Sequence, residues 1–274
     1  MKVKKGLIAA FGLAASIMLT ACGGGQQGDN NTNAAVTLKI GASPVPHSEM
    51  LEQIKPDLKE KNITLEIVEF NDYVQPNIAL NDKELDANFF QHEPYLIDFI
   101  NEHKDVKLTN AAGVHIEPMG AYSKKVKNVE ELADGAQISI PNDPTNGGRA
   151  LLLLDKAGLI KLNEGVGAAA TVQDISENPK HFVIQEVEAA QLPRTLDDVD
   201  LSIINTNFAM NADLNPVKDA LFMEDKTSPY VNIVAVREGD ENRAEIKELI
   251  NALHSDKMKK FINEKYNGAI VPAF

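Results

Sequence analysis

The chain has a single cysteine among its 274 residues, and it lacks the patterns of the common catalytic and metal sites. Its six histidines include no HxxxH pair, so the sequence predicts no metal site. No GxSxG segment indicates a serine nucleophile, and no P-loop indicates a phosphate cradle. The run PTNGGR does not fit GxGxxG, which argues against a dinucleotide. The sequence therefore predicts no cofactor and no catalytic residue.

Basic residues are also scarce, since 27 Lys and Arg stand against 40 Asp and Glu, for a net charge of −13. This balance excludes the general basic surface that binds nucleic acid. Long apolar runs are missing too, and the longest near the start, residues 6–19, is too short for a comfortable membrane span.

The first residues have the pattern of an export signal. Three lysines within the first five residues precede the apolar run, so we assign a signal peptide to residues 1–21. The sequence LTAC that follows the run resembles the lipobox of bacterial lipoproteins. This resemblance implies that Cys22 is lipidated, with palmitate among its acyl chains, and becomes the mature N-terminus. The alternative is a secreted protein with an incidental cysteine.

The segment after Cys22, GGGQQGDNNTNAA, contains no apolar residue larger than alanine. Because it cannot bury enough surface to become ordered, we predict a flexible tether over residues 22–35. The folded part would then be held by lipid at an extracytoplasmic membrane surface, in a periplasm or on the outer face of the cell membrane.

The folded part has the alternation of an α/β protein. Residues 36–42 and 63–70 alternate apolar and polar positions, and the apolar positions between them, from Met50 to Leu58, have helical spacing. A strand, a helix and a strand with short links predict a parallel sheet. Pro56 lies inside the helical pattern and predicts a kink or a restart of the helix.

The length of the chain favours two α/β lobes. Irregular segments at 118–122 and 228–232 are candidate crossings between them. We therefore expect residues 36–118 with 233–274 in one lobe and 119–232 in the other. A ligand cleft would lie between the lobes, at the carboxyl ends of the strands.

The sharpest candidate anchor is the segment PNDPTNGGRALLLL at 141–154. We predict that a helix opens at its two glycines and carries Arg149 in the first turn. A helix N-terminus with an arginine fork suits a carboxylate or a phosphate. The alternative is an arginine paired with Asp155 or another acid.

Other polar and aromatic residues also follow predicted strands. Tyr73, Phe90, His92 and Tyr95 could wall an apolar ligand, although Phe90 and Tyr95 could equally belong to the local core. Phe89 faces away from Phe90 in a strand, so only one of the two lines the cleft.

Two asparagines, Asn205 and Asn232, lie at predicted strand ends. Their amides could satisfy an ammonium or a carboxylate, although each could also be a turn former.

Several long segments resemble the NlpA-type lipoproteins, the methionine-binding components of ABC importers. They include FNDYVQPN, DANFFQHEPYL, PNDPTNGGRALLLL, INTNFA and EDKTSPYVN. The resemblance implies an α/β, two-lobed periplasmic-binding-protein fold (type II) that closes on one amino acid. It implies that Arg149 holds the α-carboxylate, that Asn146 supports the anchor turn, and that Asn205 and Asn232 contact the amino-acid backbone. The side chain would be enclosed by Tyr73, Phe90, His92 and Tyr95.

The expected function is capture of L-methionine and its delivery to the permease and ATPase complex of an ABC transporter, by a monomer. D-methionine, a methionyl dipeptide or another apolar amino acid are alternative ligands. A hydrolase of small amides would need a nucleophile and a base at the cleft, and an adhesion or structural lipoprotein would need no ligand at all.

Overall fold

The computed structural model describes residues 35–274 of the chain. The predicted signal peptide, Cys22 and all of the predicted tether except Ala35 lie outside the described residues. Within the described part, no helix combines the length and the apolar character needed to cross a membrane.

The described residues form alternating strands and helices. The strands are β1 Val36–Ala42, β2 Ile63–Glu69, β3 Ala87–His92, β4 Leu108–Ile116, β5 Gly120–Tyr122, β6 Gln137–Pro141, β7 Lys161–Leu162, β8 Ile175–Glu177, β9 Val183–Val187, β10 Leu201–Ile204, β11 Ala220–Met223, β12 Val231–Arg237 and β13 Val271–Pro272. The helices are α1 Glu49–Glu60, α2 Gln75–Asn81, α3 Glu93–Glu102, α4 Pro144–Lys156, α5 Leu192–Thr195, α6 Thr206–Asn211, α7 Pro216–Asp219, α8 Ala244–Leu253 and α9 Asp256–Tyr266.

One sheet has six strands in the order β13-β4-β12-β3-β1-β2. The predicted βαβ unit is confirmed, because β1 runs parallel to β2 and to β3. Since β12 runs antiparallel to both β3 and β4, its amino end lies at the same edge as their carboxyl ends. Alternate residues of β1, Leu38 and Ile40, are fully buried and belong to one core cluster with Ile54 of α1.

A second sheet has five strands in the order β11-β5-β10-β6-β9. Strand β6 runs parallel to β9 and β10, so the carboxyl ends of these three strands also share an edge. Its core packs the leucines of α4, such as Leu151 and Leu154, with Ile138 and Ile140 of β6. The chain passes from the six-stranded to the five-stranded sheet between β4 and β5, and returns between β11 and β12. Two such layered sheets form the predicted two-lobed α/β fold.

Pro56 does not interrupt α1, which runs unbroken from Glu49 to Glu60. The predicted restart of the helix is wrong because Pro56 lies on the exposed face of the helix. A carbonyl that loses its intrahelical partner on that face remains accessible to solvent. The buried face of Met50, Leu51, Ile54 and Leu58 keeps the helix packed on the sheet.

The sequence pattern also predicts short strands at 106–108 and 114–116 and a short helix at 129–132, and the structure differs at both places. A single strand, β4, runs from Leu108 to Ile116, and its middle residues 109–113 are half-buried. It continues because β12 pairs with it along its whole length. The helix predicted at 129–132 is a single 3-10 turn, Val129–Glu131, with no buried residue to extend it.

Candidate functional site

A cavity lies where residues from the carboxyl-end edges of the two sheets meet. The residues that line it are Tyr73, Phe90, Gln91, His92, Tyr95, Glu117, Asn146, Arg149, Asn205, Thr206, Asn207 and Asn232. All eight ligand-binding residues predicted from the sequence are in this set. The fold thus brings together residues that lie far apart in the chain.

Helix α4 begins at Pro144, earlier than the two glycines at which we predicted its start. Asp143 caps the helix, since its Oδ1 accepts a hydrogen bond of 2.9 Å from the backbone N–H of Asn146. Arg149 therefore lies in the second helical turn, and its predicted place in the first turn is wrong. Because the Asp143 carboxylate already occupies the helix N-terminus, the predicted anion anchor is left with Arg149 as its positive group instead of the helix end.

Arg149 lines the cavity and is also paired with an acid, so the ion pair does not remove it from the candidate site. It is 3% exposed, and its partner is Glu224, not Asp155. The Arg149 Nε donates to Oε1 of Glu224 at 2.8 Å, and Nη2 donates to Oε2 at 2.5 Å. Nη2 also donates to the carbonyl of Glu117 at 2.7 Å, and the guanidinium lies 4.3 Å from the ring centroid of Tyr230. These contacts fix the plane of the guanidinium.

A chain of amides starts at the Asp143 cap. The side-chain Nδ2 of Asn146 donates to Asp143, which orients Oδ1 of Asn146 as an acceptor. That oxygen accepts from Nδ2 of Asn205 at 2.8 Å and faces Nε2 of His92 at 3.1 Å. The Nδ1 of His92 accepts from the backbone N–H of Tyr95, so His92 carries its proton on Nε2 and donates it to Asn146. Burial, followed by the charge of Arg149, lowers the pKa of His92 to about 3, so it is neutral.

The other amide oxygen in this chain, Oδ1 of Asn205, is buried and has no hydrogen-bond partner among the described residues. A buried acceptor of this kind is costly unless a ligand or water satisfies it. Because Asn205 lines the cavity, its oxygen is available to a ligand donor.

Aromatic rings form one side of the cavity. The Tyr73 ring lies 5.9 Å from that of Phe90 and 5.7 Å from that of Tyr95. Phe90 and Tyr95 also belong to a local core cluster, so these two residues both line the cavity and pack in the core. Phe89 points to the opposite face, where its ring centroid lies 4.6 Å from that of His47, as the strand alternation predicts.

Glu117 is a charged residue of the cavity that was not predicted from the sequence. It follows β4, at the same sheet edge as His92, and it is 5% exposed. Burial raises its pKa, while the neighbouring His47 and Arg149 lower it. Its position after the alternating run at 114–116 was the available signal, by the strand-end rule that selected the other residues.

Glu117 also stands beside two histidines. Nε2 of His115 lies 2.7 Å from its Oε1, and Nε2 of His47 lies 3.3 Å from the same oxygen. Among the described residues, these three side chains could together face a cation, since their ligating atoms lie within 4.8 Å of one another. The sequence reasoning, which sought metal ligands close together in the chain, did not find this cluster.

Gln91, Thr206 and Asn207 complete the cavity, and the sequence reasoning did not select them. Gln91 and Thr206 each adjoin a selected residue, and Asn207 lies two positions after Asn205, because a strand end exposes neighbouring residues when the chain turns. Gln91 bonds the amide of Asn77 in both directions, at 2.9 and 2.7 Å. Asn207 accepts a hydrogen bond of 2.5 Å from the hydroxyl of Tyr73.

Comparison with known proteins identifies relatives of the whole described part. A nutrient-binding protein from Burkholderia cenocepacia, solved bound to methionine, is 46% identical and superposes with a TM-score of 0.84, covering 86% of this chain and 100% of that one. A periplasmic substrate-binding protein of an ABC transporter from Coxiella burnetii is 43% identical with a TM-score of 0.82, over 86% and 100% of the two chains. The D-methionine-binding lipoprotein MetQ of Salmonella typhimurium is 43% identical over 270 residues, or 97% of each chain.

These likenesses span nearly the whole described part, and they include both the two-sheet architecture and the lipoprotein character predicted from the N-terminus. Residues 38–274 match the NlpA lipoprotein family. The chain belongs to the NlpA lipoprotein family.

Proposed function

We propose that this chain is an extracytoplasmic substrate-binding protein that captures L-methionine and delivers it to an ABC transporter. The observation that carries the proposal is one cavity holding a matched set of groups for a free amino acid. Arg149 offers positive charge for a carboxylate, Glu117 and Asn205 offer acceptors for an ammonium, and aromatic rings adjoin an apolar side chain. The cited relatives, one bound to methionine and one named for D-methionine, support the same ligand class.

The carboxylate would bind at the guanidinium of Arg149. Glu224 takes up the Nε and Nη2 side of the fork, so we assign the ligand carboxylate to the Nη1 end. A guanidinium that is already oriented loses little freedom when the ligand binds. Asn146 holds Asn205 and His92 in place, while Asn232, at the start of β12, contacts the ligand backbone from the other sheet.

The ammonium would bind between Glu117 and Oδ1 of Asn205. Both are acceptors that line the cavity, and the Asn205 oxygen has no other partner among the described residues. A ligand that lacks the ammonium leaves a buried carboxylate unpaired, which costs affinity. This arrangement selects amino acids over simple carboxylic acids.

The side chain would lie against Tyr73, Phe90, His92 and Tyr95. Sulfur contacts with aromatic rings contribute about 0.3–1.5 kcal/mol each, which favours a thioether over a plain alkyl chain.

Binding rather than catalysis is the better account of this site. Apart from the tyrosines, Thr206 has the one hydroxyl among the described residues that line the cavity. Its Oγ1 donates to the carbonyl of Pro118 at 2.5 Å, so no base activates it.

Closure would move two lobes about the chain crossings. We take residues 36–118 with 233–274 as one lobe and residues 119–232 as the other. Sheet membership supports this division, except that β12 begins slightly earlier, at Val231. Hydrogen bonds from His92 to Asn146 and from Tyr73 to Asn207 join the two sides, and are the contacts expected of a closed form.

Calorimetric titration of unfolded and refolded, ligand-free protein tests the ligand. We expect L-methionine to bind with a stoichiometry of one, norleucine more weakly, and methionine-containing dipeptides poorly. Clear binding of another amino acid without any response to methionine would overturn the proposal.

D-methionine is the second candidate, because a close relative carries that name. The two enantiomers exchange the positions of the side chain and the hydrogen on Cα once the carboxylate and the ammonium are held. Titration of both enantiomers, with mass spectrometry and chiral chromatography of whatever co-purifies, decides between them.

Attachment to the membrane through Cys22 and transport are tested separately. We expect wild-type protein to take up labelled palmitate and to sediment with membranes, and Cys22→Ser to do neither. In proteoliposomes with the permease and ATPase, loaded protein should stimulate ATP hydrolysis and methionine uptake. Label in the Cys22→Ser variant would contradict the anchor, and no stimulation would contradict the delivery step.

A further inference from the structure

Two buried histidines support Glu117 from behind the cavity. His47 and His115 are both fully buried, and neither is among the residues that line the cavity. They come from distant parts of the chain, His47 from the segment between β1 and α1 and His115 from β4. Their ring centroids are 5.0 Å apart, and both Nε2 atoms face Oε1 of Glu117.

The hydrogen-bond pattern fixes the proton on His47. Its Nε2 faces two oxygens, Oδ1 of Asn232 at 3.0 Å and Oε1 of Glu117 at 3.3 Å. An imidazole nitrogen between two acceptors must carry a proton, so Nδ1 is the acceptor in neutral His47. The hydroxyl of Ser43 lies 2.8 Å from Nδ1 and supplies the donor.

His115 has a partner on one side of its ring. Nε2 lies 2.7 Å from Glu117, while Nδ1 is buried with no hydrogen-bond partner among the described residues. If Glu117 were protonated and donated to Nε2, Nδ1 would have to be a buried, unpaired N–H. If Glu117 is ionised, Nε2 donates and Nδ1 is an unpaired acceptor. Unpaired buried donors are the rarer arrangement in proteins, so the geometry favours the ionised form.

The groups around Glu117 leave its carboxylate available to pair with a cation. Burial lowers the pKa of His47 to about 4 and that of His115 to about 3, so both are neutral at neutral pH. Arg149 contacts the backbone carbonyl of Glu117, and its charge is paired with Glu224. The charge of Glu117 also acts on the hydroxyls of Tyr73 and Tyr266, and burial raises the pKa of both, so they are neutral as well.

We propose that His47 and His115 are positioning residues that keep the Glu117 carboxylate ionised and aimed at the ammonium of the ligand. His115 donates its N–H to Oε1 of Glu117, while His47 donates to Asn232 and holds the same N–H 3.3 Å from that oxygen. The inference rests on the proposed function, because it assigns the ammonium to Glu117. Loss of either donor should make Glu117 easier to protonate. Affinity should then decline at a higher pH than in the wild type, because a neutral Glu117 cannot pair with an ammonium.

A metal ion is the competing use of the same cluster. Two ligands of a tetrahedral zinc lie about 3.3 Å apart when each bond is about 2.0 Å long. The 2.7 Å between Nε2 of His115 and Glu117 is instead a hydrogen-bond length. The cluster would have to spread to accept a metal.

The test compares His115→Leu, which removes the donor, with His115→Gln, whose amide can restore it. Methionine affinity is measured by calorimetry from pH 5 to pH 8, after circular dichroism shows that each variant is folded. We expect His115→Leu to bind at least about tenfold more weakly at pH 7. Its affinity midpoint should move up by about one pH unit, and His115→Gln should stay within about threefold of the wild type. The pair His47→Leu and His47→Gln should behave in the same way.

A ligand without an amino group separates positioning from general structural support. The probe is 4-(methylthio)butanoic acid, which keeps the carboxylate and thioether of methionine. We expect its affinity to be equal or higher in His115→Leu, because it makes no ammonium contact and a neutral Glu117 removes the cost of an unpaired carboxylate. Equal losses for methionine and for this acid, or an unshifted pH midpoint, would overturn the inference.

Two further measurements keep the inference separate from the proposed function. Carbon-13 NMR of the Glu117 carboxyl in ligand-free protein needs no ligand, and we expect His115→Leu to raise its titration midpoint. An unchanged midpoint would overturn the positioning role even if methionine binds. Failure of wild-type protein to bind methionine, with the midpoint still raised, would overturn the proposed function instead. Stoichiometric zinc binding that is lost in His115→Leu would replace the positioning role with a metal site.

Discussion

Arg149 and Glu224 form a side-on ion pair at the edge of the cavity, with Nε 2.8 Å from Oε1 and Nη2 2.5 Å from Oε2. The side chains are 3% and 13% exposed, so solvent and salt screen the pair only weakly. Glu224 also accepts a hydrogen bond of 3.0 Å from the backbone N–H of Met119, which ties the pair to the first chain crossing. The anion anchor is thus held from the side opposite to the proposed ligand.

Replacing Arg149 with alanine should weaken methionine binding by at least about 2 kcal/mol, or roughly thirtyfold, because a buried ligand carboxylate would lose its counter-charge. Isothermal titration calorimetry measures the loss. Arg194→Ala is the matched control, since Arg194 is exposed and does not line the cavity, and it should bind like the wild type. Wild-type affinity in Arg149→Ala would remove Arg149 from the site.

Replacing Glu224 with glutamine should destabilise the ligand-free protein, because it leaves the Arg149 charge buried without its partner. We expect a loss of about 2–4 kcal/mol in the free energy of unfolding. For a chain of this size the thermal midpoint should fall by roughly 5–15 °C. Asp197→Asn breaks the exposed pair between Asp197 and Lys124, and it should change the midpoint little. A midpoint equal to that of the wild type in Glu224→Gln would show that the pair does not stabilise the fold.

Removing the Tyr73 hydroxyl should weaken ligand binding through faster release. That hydroxyl donates to Oδ1 of Asn207 across the cavity, so Tyr73→Phe loses one contact of the closed form. We expect methionine to dissociate about three- to tenfold faster in stopped-flow displacement, since one hydrogen bond contributes about 1 kcal/mol. Tyr122→Phe is the control, because its buried hydroxyl has no hydrogen-bond partner among the described residues. Equal dissociation rates in the two variants would contradict a role for this contact in closure.

Acid should destabilise the ligand-free protein through its buried neutral histidines. Burial lowers the pKa of His47 to about 4, and the pKa values of His92 and His115 to about 3. Unfolded histidine titrates near 6.5, so the unfolded chain binds more protons below that value. The stability from these groups is fully present above about pH 6.5 and is lost as the pH falls toward 4. The raised pKa values of Glu117 and Asp143 act in the opposite direction and offset part of the loss.

The thermal midpoint, followed by circular dichroism from pH 7 to pH 5, measures this dependence. We expect a continuous fall in the wild type and a shallower one in His92→Gln, which has one fewer buried imidazole. His181→Gln should keep the wild-type slope, since the His181 side chain is 78% exposed. The same slope in His92→Gln as in the wild type would exclude His92 as a source of the pH dependence.

Much of the site could be predicted from local patterns. Alternation predicted β1 and β2, and helical spacing predicted the buried face of α1, because burial repeats at fixed intervals within one element. The rule that ligands bind at the carboxyl ends of strands then selected Tyr73, Phe90 and Asn205, which all line the cavity. The predicted start of α4 was wrong. The Asp143 cap and the proline at the next position begin the helix before the glycines.

The sequence by itself determined the elements, the lipoprotein signal and the residue types that line the cavity, because each of these depends on neighbours within a few positions. Only the tertiary structure decided the charge pairing inside the site. Glu224 is hydrogen-bonded to Arg149, which lies 75 positions away in the sequence, and His47 is hydrogen-bonded to Asn232, 185 positions away. The physical reason is the sheet order, which places β12 between β3 and β4 and so brings residues from both ends of the chain to one edge. No periodic pattern within one element indicates a neighbour so distant in the chain. The residues that support Arg149 and Glu117 could therefore be identified only from the fold.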